Sequence, residues 1–394
     1  MTLFFSQYER QWKAALDAVQ TLPAPGVRVV QRGILLPLKL RGDCKAEMNC
    51  YEGGVADSAF NFVAGIERKK RAEYYNLACK KSYIAVGVDV RREKVVFGGV
   101  IFGHFGHQIL DGMTRLWHFA RHHDKGLKYV FVTQPGAGTQ HAEAFFKLAG
   151  MRYEILRQPT QFAEVVVPDE AYMTGEGGNP AWLEWFDHIK ARVGNPVDGG
   201  KVYLTRRQWP ARDGVGEEYF EEFFKGLGYD VVAPEKLPLD EQIRLIAGAS
   251  HIACTMGTMA HMLAFSNSGA DVTILLRSPS SVMPSQVVIN NLRGLHWRMV
   301  DGTNNPMPTG QSNGCFLYWP TAGFYQWAKS IGIDFPLTPR RIGLDETEVF
   351  VEYMRNWARI FSIPGNYKYI KNCTMQHAVD SLTQFFGGNT NDNP

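Results

Sequence analysis

The chain has 394 residues, of which 45% are hydrophobic and 21% are charged. This composition excludes a disordered or fibrous chain, and the length corresponds to two or three domains of roughly 150 residues, or to one large α/β domain. Lys and Arg number 42 against 39 Asp and Glu, which leaves a net charge of +3. A chain so close to neutral does not bind nucleic acid through bulk charge, so we expect no nucleic-acid partner.

The N-terminal segment contains charges where a secretory signal needs an uninterrupted apolar core. Glu9, Arg10 and Lys13 interrupt it, and nowhere do about 18 apolar residues follow one another. We therefore expect no export signal and no membrane span. The six cysteines are scattered without a C-x-x-C pair, which is typical of reduced thiols. We predict a cytoplasmic protein, free or attached peripherally to the inner face of the membrane.

The first half of the chain alternates runs rich in β-branched residues with helical patterns. The runs that predict strands are residues 27–30, 83–90, 95–103, 128–133 and 164–168. One helical pattern begins near residue 106 and continues through residue 123, and a second, HAEAFFKLAG, ends on a glycine, as helices often do.

A second set of alternating elements follows the turn-rich segment GNPVDGG at residues 194–200. It consists of KVYLT, EEYFEEFFKGLG, YDVVAP, LDEQIRLIAGA, HIACT, TMAHMLAFS and DVTILL, strand and helix in turn. Continuously apolar strands separated by helices are typical of βαβ units with a parallel sheet. We predict two α/β lobes with parallel sheets, residues 1–195 and 196–325, followed by helices over residues 326–394.

Three strand ends in the second lobe carry groups that suit an anionic, nucleotide-like ligand. KVYLT leads into Arg206 and Arg207, HIACT is followed by Gly257 and Thr258 at a helix start, and DVTILL ends at Arg277. Open α/β sheets bind ligands beyond the carboxyl ends of their strands, where arginines and helix N-termini meet phosphate. Each feature alone also fits an ordinary loop. No G-x-G-x-x-G and no P-loop follows a strand, which disfavours a dehydrogenase or a P-loop kinase.

The densest polar cluster of the first lobe is HFGHQILDGMTRLWHF, residues 104–119. On a helix, His107 and Asp111 share one face, with Arg115 near the same stripe. A neutral His or an ionised Asp there can act as a general base; alternatively, the two side chains only pair with each other. His104 and His107 also have a zinc-like spacing, but we find no convincing third ligand and no D-x-D motif, so we predict no metal site.

Two further sets of side chains have simpler interpretations. We predict that His118, His122 and His123 form the solvated end of the same helix. Among the tryptophans, only Trp209, in the loop after the arginines, is a candidate for stacking on a sugar or a uracil ring.

These segments, in this order, resemble glycosyltransferase family 61. The resemblance rests on HFGHQILDGMTRLW, then VYLTRR, then the run from LGYDVVAPEKLPLDEQ through SHIACTMGTMAHMLAF to DVTILL. It implies a GT-B architecture, with two Rossmann-like lobes around a cleft and C-terminal helices crossing back to the first lobe. It also implies an inverting transferase with a nucleotide-sugar donor, generally UDP-linked, on the second lobe. The acceptor and a base then belong to the first lobe, and we place His104 and Arg115 on that acceptor side.

Position by position, the resemblance assigns the family's arginine after the strand to Arg206, its E-Q glutamine to Gln242 and its glycine to Gly257. It assigns the early His and Asp to His107 and Asp111. Asp or His deprotonates the attacking hydroxyl in this scheme, while Arg206 and the N–H groups near Gly257 stabilise the leaving diphosphate without a metal or another cofactor.

The sequence departs from the family pattern on the donor side. Met256 stands where the family has His, Met262 where it has Asn, and Leu275 where an acidic residue often ends the strand. A methionine cannot donate a hydrogen bond to phosphate. These departures predict either a locally different donor site or a degenerate one.

Three functions stay open at this point. The first is an inverting glycosyltransferase that adds a sugar to a glycan hydroxyl of an oligosaccharide or polysaccharide acceptor, in the synthesis of a surface polysaccharide such as capsule or lipopolysaccharide. The second is a catalytically silent partner that binds a sugar nucleotide or a glycan. The third is a pyruvyl or phosphosugar transferase acting on polysaccharide. A homodimer through the apolar C-terminal helices is also open.

Overall fold

The structure, a computed structural model, describes residues 3–40, 51–64, 87–133, 135–194, 199–208, 214–278, 282–307, 314–333, 338–362 and 382. It has an α/β fold. The strands are β1 Phe4–Phe5, β2 Gln20–Thr21, β3 Val27–Gln31, β4 Ile34–Leu40, β5 Tyr51–Ala56, β6 Phe62–Ala64, β7 Asp89–Ile101, β8 Tyr129–Thr133, β9 Tyr153–Leu156, β10 Thr160–Pro168, β11 Tyr172–Met173, β12 Gly177–Gly178, β13 Gly199–Leu204, β14 Gly214–Val215, β15 Asp230–Val232, β16 Ala249–Thr255, β17 Asp271–Leu276, β18 His296–Asp301 and β19 Phe316–Leu317.

The α-helices of the described ranges lie between these strands and after the last of them. They are α1 Glu9–Asp17, α2 Phe105–Leu110, α3 Trp117–His122, α4 Gln140–Ala149, α5 Ala181–Val193, α6 Glu218–Gly226, α7 Leu239–Gly248, α8 Pro284–Leu292, α9 Ala322–Ser330 and α10 Glu346–Phe361. The segment Thr258–Phe265, predicted as a helix, forms a 3-10 helix. We find no helix in the described ranges with the length and apolarity that crossing a bilayer requires.

The chain divides into two compact units. One, named here the mixed-sheet unit, comprises Ala18–Asn195 and Pro284–Arg293. The other, the parallel-sheet unit, comprises Met1–Asp17, Pro196–Met283 and Gly294–Pro394.

The parallel-sheet unit is built on the sheet order β1-β18-β17-β16-β13-β15, in which each neighbouring pair is parallel. The chain passes from β13 to β15 on one side and then to β16 on the other side of β13. Such a reversal is a topological switch point, where open α/β sheets bind ligands. Leu204 pairs with Cys254 and Cys254 with Ile274, so the residues that follow β13, β16 and β17 meet at one edge of the sheet.

The core of this unit explains why its strands are continuously apolar. Tyr203, Ala253, Leu275 and Val300 pack in one cluster with aromatic side chains of α6 and α9. A fully buried side chain of this size contributes about 1.5–3 kcal/mol. The helices therefore anchor the strands whose carboxyl ends carry the predicted donor-side residues.

Segments from both ends of the chain also join the parallel-sheet unit. Phe4 and Phe5, which were predicted to belong to the lobe of residues 1–195, pair with Met299 and Val300. Helices α9 and α10, expected to cross back to the first lobe, contact β1, β18, β14 and β19 of the parallel-sheet unit. A two-residue strand or an amphipathic helix carries no local signal for which sheet it joins.

The mixed-sheet unit differs from the parallel sheet predicted for it. Its sheet has the order β6-β5-β4-β10-β7-β8-β9, and β3 also pairs with β10. Strands β7 to β10 are parallel where they pair, but β3 to β6 pair antiparallel. The short connection of residues 57–61 between β5 and β6 permits only a hairpin, because a parallel pair needs a crossover of about a dozen residues.

The single helix predicted over residues 106–123 is interrupted. Helix α2 ends at Leu110, turns follow, and α3 begins at Trp117. Gly112 lies in the interruption, and a Cβ atom there would be 2.4 Å from Nε2 of the buried Gln108. Asp111 therefore lies at the end of α2, where its N–H donates to the carbonyl of His107 at 2.8 Å.

The three histidines predicted to be solvated have different environments. His123 is exposed and His122 is half-buried, but His118 is buried, and its Nδ1 lies 2.6 Å from the hydroxyl of Tyr129. Burial, with the positive charges nearby, lowers the pKa of His118 to about 4. The prediction was wrong for His118 because a polar side chain near a helix end is satisfied here by a partner on a neighbouring strand.

Some predicted features lie outside the described residues. These are Trp209, the first half of the strand predicted over residues 83–90, and the last part of the helices predicted over residues 326–394. The two cysteines within the described ranges, Cys254 and Cys315, are both buried.

Candidate active site

Arg206 follows β13 at the switch point of the parallel sheet, and its backbone is held by a buried acid. The N–H of Arg206 donates to both carboxylate oxygens of Glu217, each at 3.1 Å, and the hydroxyl of Tyr203 donates to Glu217 Oε1 at 2.9 Å. Glu217 precedes α6 and is 3% exposed. Burial raises the pKa of Glu217 to about 7, against the opposing effect of these hydrogen bonds.

Gly257 and Arg277, which follow the neighbouring strands β16 and β17, are in direct contact. The φ angle of Gly257 is +140°, and a Cβ atom there would lie 2.5 Å from Arg277 Nη2, so the position requires glycine. The Arg277 guanidinium lies over the ring of Phe316, with Cζ 4.8 Å from the ring centroid. Arg277 is 8% exposed. The structure thus brings two of the predicted donor-side residues, Gly257 and Arg277, together at one edge of the sheet.

Arg207 has a different environment from its neighbour. Its side chain is 51% exposed, with Nε 2.9 Å from Glu218 Oε1 and Nη1 3.2 Å from Glu221 Oε2. These ion pairs with α6 raise the pKa of Arg207 against the opposing effect of partial burial. Its role in donor binding stays a prediction, and the two carboxylates favour a structural contact.

Gln242 lies in the first turns of α7, after the edge strand β15. Its Nε2 donates to the carbonyl of Leu237 at 2.9 Å, which closes the turn that precedes the helix. The predicted contact between this amide and a donor stays a prediction.

The segment around Gly257 contains the methionines that stand where the resemblance places His and Asn. Met256 and Met262 are both buried, and the N–H of Met256 donates to the carbonyl of Leu275 at 2.7 Å. Thr258, predicted as a donor-side residue, is half-buried at the start of the 3-10 helix. The methionine side chains therefore belong to the core of this segment rather than to its surface.

His107 and Asp111 form a hydrogen-bonded pair in the mixed-sheet unit. His107 Nδ1 lies 2.7 Å from Asp111 Oδ2, while the other carboxylate oxygen, Oδ1, accepts a hydrogen bond from the hydroxyl of Thr174. The Asp111 side chain is 3% exposed and that of His107 is 37% exposed. An ionised Asp111 can only accept, so Nδ1 of a neutral His107 carries the proton and Nε2 is its basic nitrogen.

The two residues predicted for the acceptor side lie in contrasting places. His104 is exposed, and its ring centroid is 5.3 Å from that of His107. Arg115 is buried, donates to the carbonyl of Pro168 and lies 3.5 Å from Glu170 Oε1. Contact between Arg115 and an acceptor stays a prediction, and its burial favours a structural role. Within the described ranges, no group of three or more His, Cys, Asp or Glu side chains is arranged to hold a metal ion.

Two residues of these sites carry no signal in the sequence. Glu217 is one of several acids in EEYFEEFF, and the pattern does not show that it alone turns inward beneath Arg206. Thr174 lies in the turn MTGEGG, 63 residues from its partner Asp111.

A comparison with protein-family models gives one assignment. Residues 105–273 match the family described as Glycosyltransferase 61. The matched segment contains His107, Asp111, Arg206 and Gly257, and it ends before Arg277. No curated protein matches the chain.

Proposed function

We propose that this chain, a glycosyltransferase that carries a glycosyltransferase family 61 domain, transfers a sugar with inversion from a nucleotide-sugar donor to a hydroxyl group of a glycan. The donor is UDP-linked, as the resemblance implies. The proposal includes the GT-B arrangement, in which donor and acceptor bind to different lobes, and a role in surface polysaccharide synthesis on the cytoplasmic side.

The observation that carries the proposal is the positively charged edge at the switch point of the parallel sheet. Arg206, Gly257 and Arg277 follow β13, β16 and β17, whose carboxyl ends meet at this edge. As the bond between the anomeric carbon and the phosphate oxygen breaks, the electron pair leaves with the nucleoside diphosphate. Guanidinium and backbone N–H groups stabilise that developing charge.

His107 is the proposed base. Inversion requires that the acceptor hydroxyl lose its proton as its oxygen attacks the anomeric carbon from the opposite side. Asp111 is buried and already accepts hydrogen bonds from His107 and Thr174, whereas His107 is partly exposed. We therefore assign proton abstraction to Nε2 of His107 and orientation of the imidazole to Asp111.

A second function is kept because of one observation. Buried methionines stand where the family has His and Asn at the donor segment. Those side chains cannot donate to a phosphate, which favours a silent partner that binds a nucleotide sugar or glycan without turnover. The pyruvyl or phosphosugar transferase has no comparable observation in its favour.

A binding screen tests the donor site. Thermal midpoints and calorimetric titrations with UDP, GDP, CDP, CMP and their sugars compare the unmodified chain with Arg206→Ala, Arg277→Ala and the adjacent Arg207→Ala. We expect one nucleotide to bind, and its affinity to fall about tenfold or more in the first two variants but not in Arg207→Ala. Equal losses in Arg206→Ala and Arg207→Ala would contradict the proposed site, and binding of no nucleotide would overturn it.

A turnover assay then separates the two functions. The nucleotide that binds is supplied as its sugar conjugates with a panel of glycan acceptors, and release of the nucleotide is followed. A glycosyltransferase releases nucleotide only with acceptor present, and His107→Ala binds the donor without turnover. Tight binding with no release under any acceptor would support the silent partner.

A further inference from the structure

We infer that Thr174 is a positioning residue for the base His107, acting through Asp111. The inference rests on the proposed function, because it needs His107 as the base. Thr174 Oγ1 donates to Asp111 Oδ1, and Asp111 Oδ2 lies 2.7 Å from His107 Nδ1. The three side chains thus form a continuous hydrogen-bonded series that ends at the partly exposed imidazole of His107.

The backbone holds the Thr174 hydroxyl in place independently of its bond to Asp111. Thr174 lies in the turn between β11 and β12, where the N–H of Glu176 donates to the carbonyl of Met173 at 3.0 Å. Gly175 in this turn has a φ of +79°, which favours glycine. The N–H of Ala171, before the turn, donates to the carbonyl of Thr114 at 2.9 Å, which ties the hairpin to the segment that carries Asp111.

A second donor on the carboxylate matters because the χ2 torsion of aspartate is soft. The terminal torsion of Asp has a broad, roughly two-fold profile, so each hydrogen bond to the carboxylate narrows the range of orientations of its plane. With Thr174 on Oδ1, the plane is defined, and Oδ2 accepts from Nδ1 of His107 along one direction. This holds the imidazole in the tautomer whose Nε2 is basic.

Loss of the Thr174 hydroxyl has two consequences for the pair. The buried Oδ1 atom loses its hydrogen-bond donor, which costs free energy. Rotation of the carboxylate toward another partner lowers that cost. Rotation moves Oδ2 away from the line to Nδ1, so both imidazole tautomers become populated and a smaller fraction of the enzyme has a correctly oriented base. Binding of the nucleotide sugar involves the other unit, so the effect falls on kcat rather than on the KM of the donor.

The test compares Thr174→Val, which keeps the volume and removes the hydroxyl, with Thr174→Ser, which retains it. Thr139→Val is the matched control, because Thr139 Oγ1 also donates to a carboxylate of this unit, that of Glu143 at 2.9 Å. Steady-state rates with the donor found in the screen are measured together with the ¹⁵N chemical shifts of His107, assigned by comparison with His107→Gln. Circular dichroism and thermal midpoints verify that each variant is folded.

We expect Thr174→Val to lower kcat by about tenfold, with the donor KM unchanged and with a loss of the Nδ1–H tautomer of His107. Thr174→Ser and Thr139→Val should resemble the unmodified chain in both measurements. The inference would be overturned if Thr174→Val had the kcat and the His107 tautomer of the unmodified chain. A predominant Nε2–H tautomer in the unmodified chain would also overturn it, and that measurement does not depend on the folding of any variant. If no chain turns over any donor while the tautomer responds as expected, the proposed function fails and the positioning role stands.

Discussion

The two candidate sites, one in each unit, are built in different ways. The donor-side edge of the parallel sheet combines residues that follow consecutive strands, so regular topology brings Arg206, Gly257 and Arg277 to one edge. The His107–Asp111 pair is local in sequence, but it depends on Thr174 from a separate hairpin. The alternation of strands and helices therefore predicts which residues lie at an edge of a sheet. The partners that orient a side chain come from long-range contacts that no sequence pattern predicts.

The largest expected effect is on turnover in the mixed-sheet unit. Removal of a general base lowers kcat by about 10²–10⁴-fold, so we expect His107→Ala to lose transfer while nucleotide affinity stays within a factor of about two. Initial rates and calorimetric titrations of the same preparation measure both quantities. His123→Ala is the control, since His123 is an exposed histidine of the same unit. Parallel losses of rate and affinity in His107→Ala would contradict separate roles for the two candidate sites in turnover and in nucleotide binding.

The buried acid behind Arg206 predicts that the parallel-sheet unit is destabilised as pH rises. The pKa of Glu217 is about 7 in the fold, against an ordinary value of 4.5. Between pH 4.5 and 7 the unfolded chain releases this proton before the folded chain does, so stability falls by about 3 kcal/mol over that window. Glu217→Gln removes the titration.

Calorimetric thermal midpoints at pH 5 and pH 8 measure this effect as a difference of differences. The difference in thermal midpoint between Glu217→Gln and the unmodified chain should favour the variant more at pH 8 than at pH 5. Glu222 is an exposed acid on α6, the helix that follows Glu217, and Glu222→Gln should show no such change. A gain for Glu217→Gln that is independent of pH would exclude a raised pKa for this carboxyl group.

The lowered pKa of His118 predicts the opposite pH dependence of stability for the mixed-sheet unit, which should lose stability as pH falls. Its pKa is about 4 in the fold, against an ordinary value of 6.5, so the unfolded chain takes up the proton first as pH falls. Stability is therefore fully present above pH 6.5 and decreases by about 3 kcal/mol as pH falls toward 4. In His118→Gln, unlike in the exposed His123→Gln, the thermal midpoint should lose this part of its acid dependence. An unchanged acid dependence in His118→Gln would show that other groups cause it.

The smallest effect concerns the glycine of the donor-side edge. Gly257→Ala places a Cβ atom against Arg277 at a φ of +140°, and we expect a loss of about 1–3 kcal/mol in stability together with weaker nucleotide binding. Gly228→Ala is the control, because Gly228 has a φ of +78° and no atom within 4 Å of a Cβ. The control should cost about 1 kcal/mol from backbone conformation and leave nucleotide affinity unchanged. Equal nucleotide affinity in both variants would exclude contact between this edge and the donor.

In the second half of the chain, the order of strands and helices was largely predictable from the sequence. DVTILL and HIACT lie within strands, and KVYLT does so as far as Leu204, because apolar runs bounded by turns leave few alternatives. In the first half, ILLPLKL and YEGGVA were not recognised as strands, since Pro and Gly disrupt the usual pattern. Neither the antiparallel pairing of these strands nor the interruption after Leu110 has a clear local signature.

The sequence by itself determined the α/β class, the strand ends that carry Arg206, Gly257 and Arg277, and the His107–Asp111 pair, because each depends on spacing along one segment. The order of the motifs also predicted the resemblance to glycosyltransferase family 61, and the family-model match over residues 105–273 agrees with it. Only the tertiary structure decided that Met1–Asp17 joins the parallel-sheet unit, that Glu217 supports Arg206, and that Thr174 meets Asp111. Those contacts depend on which surfaces the folded chain brings together, and that information is not contained in any single segment.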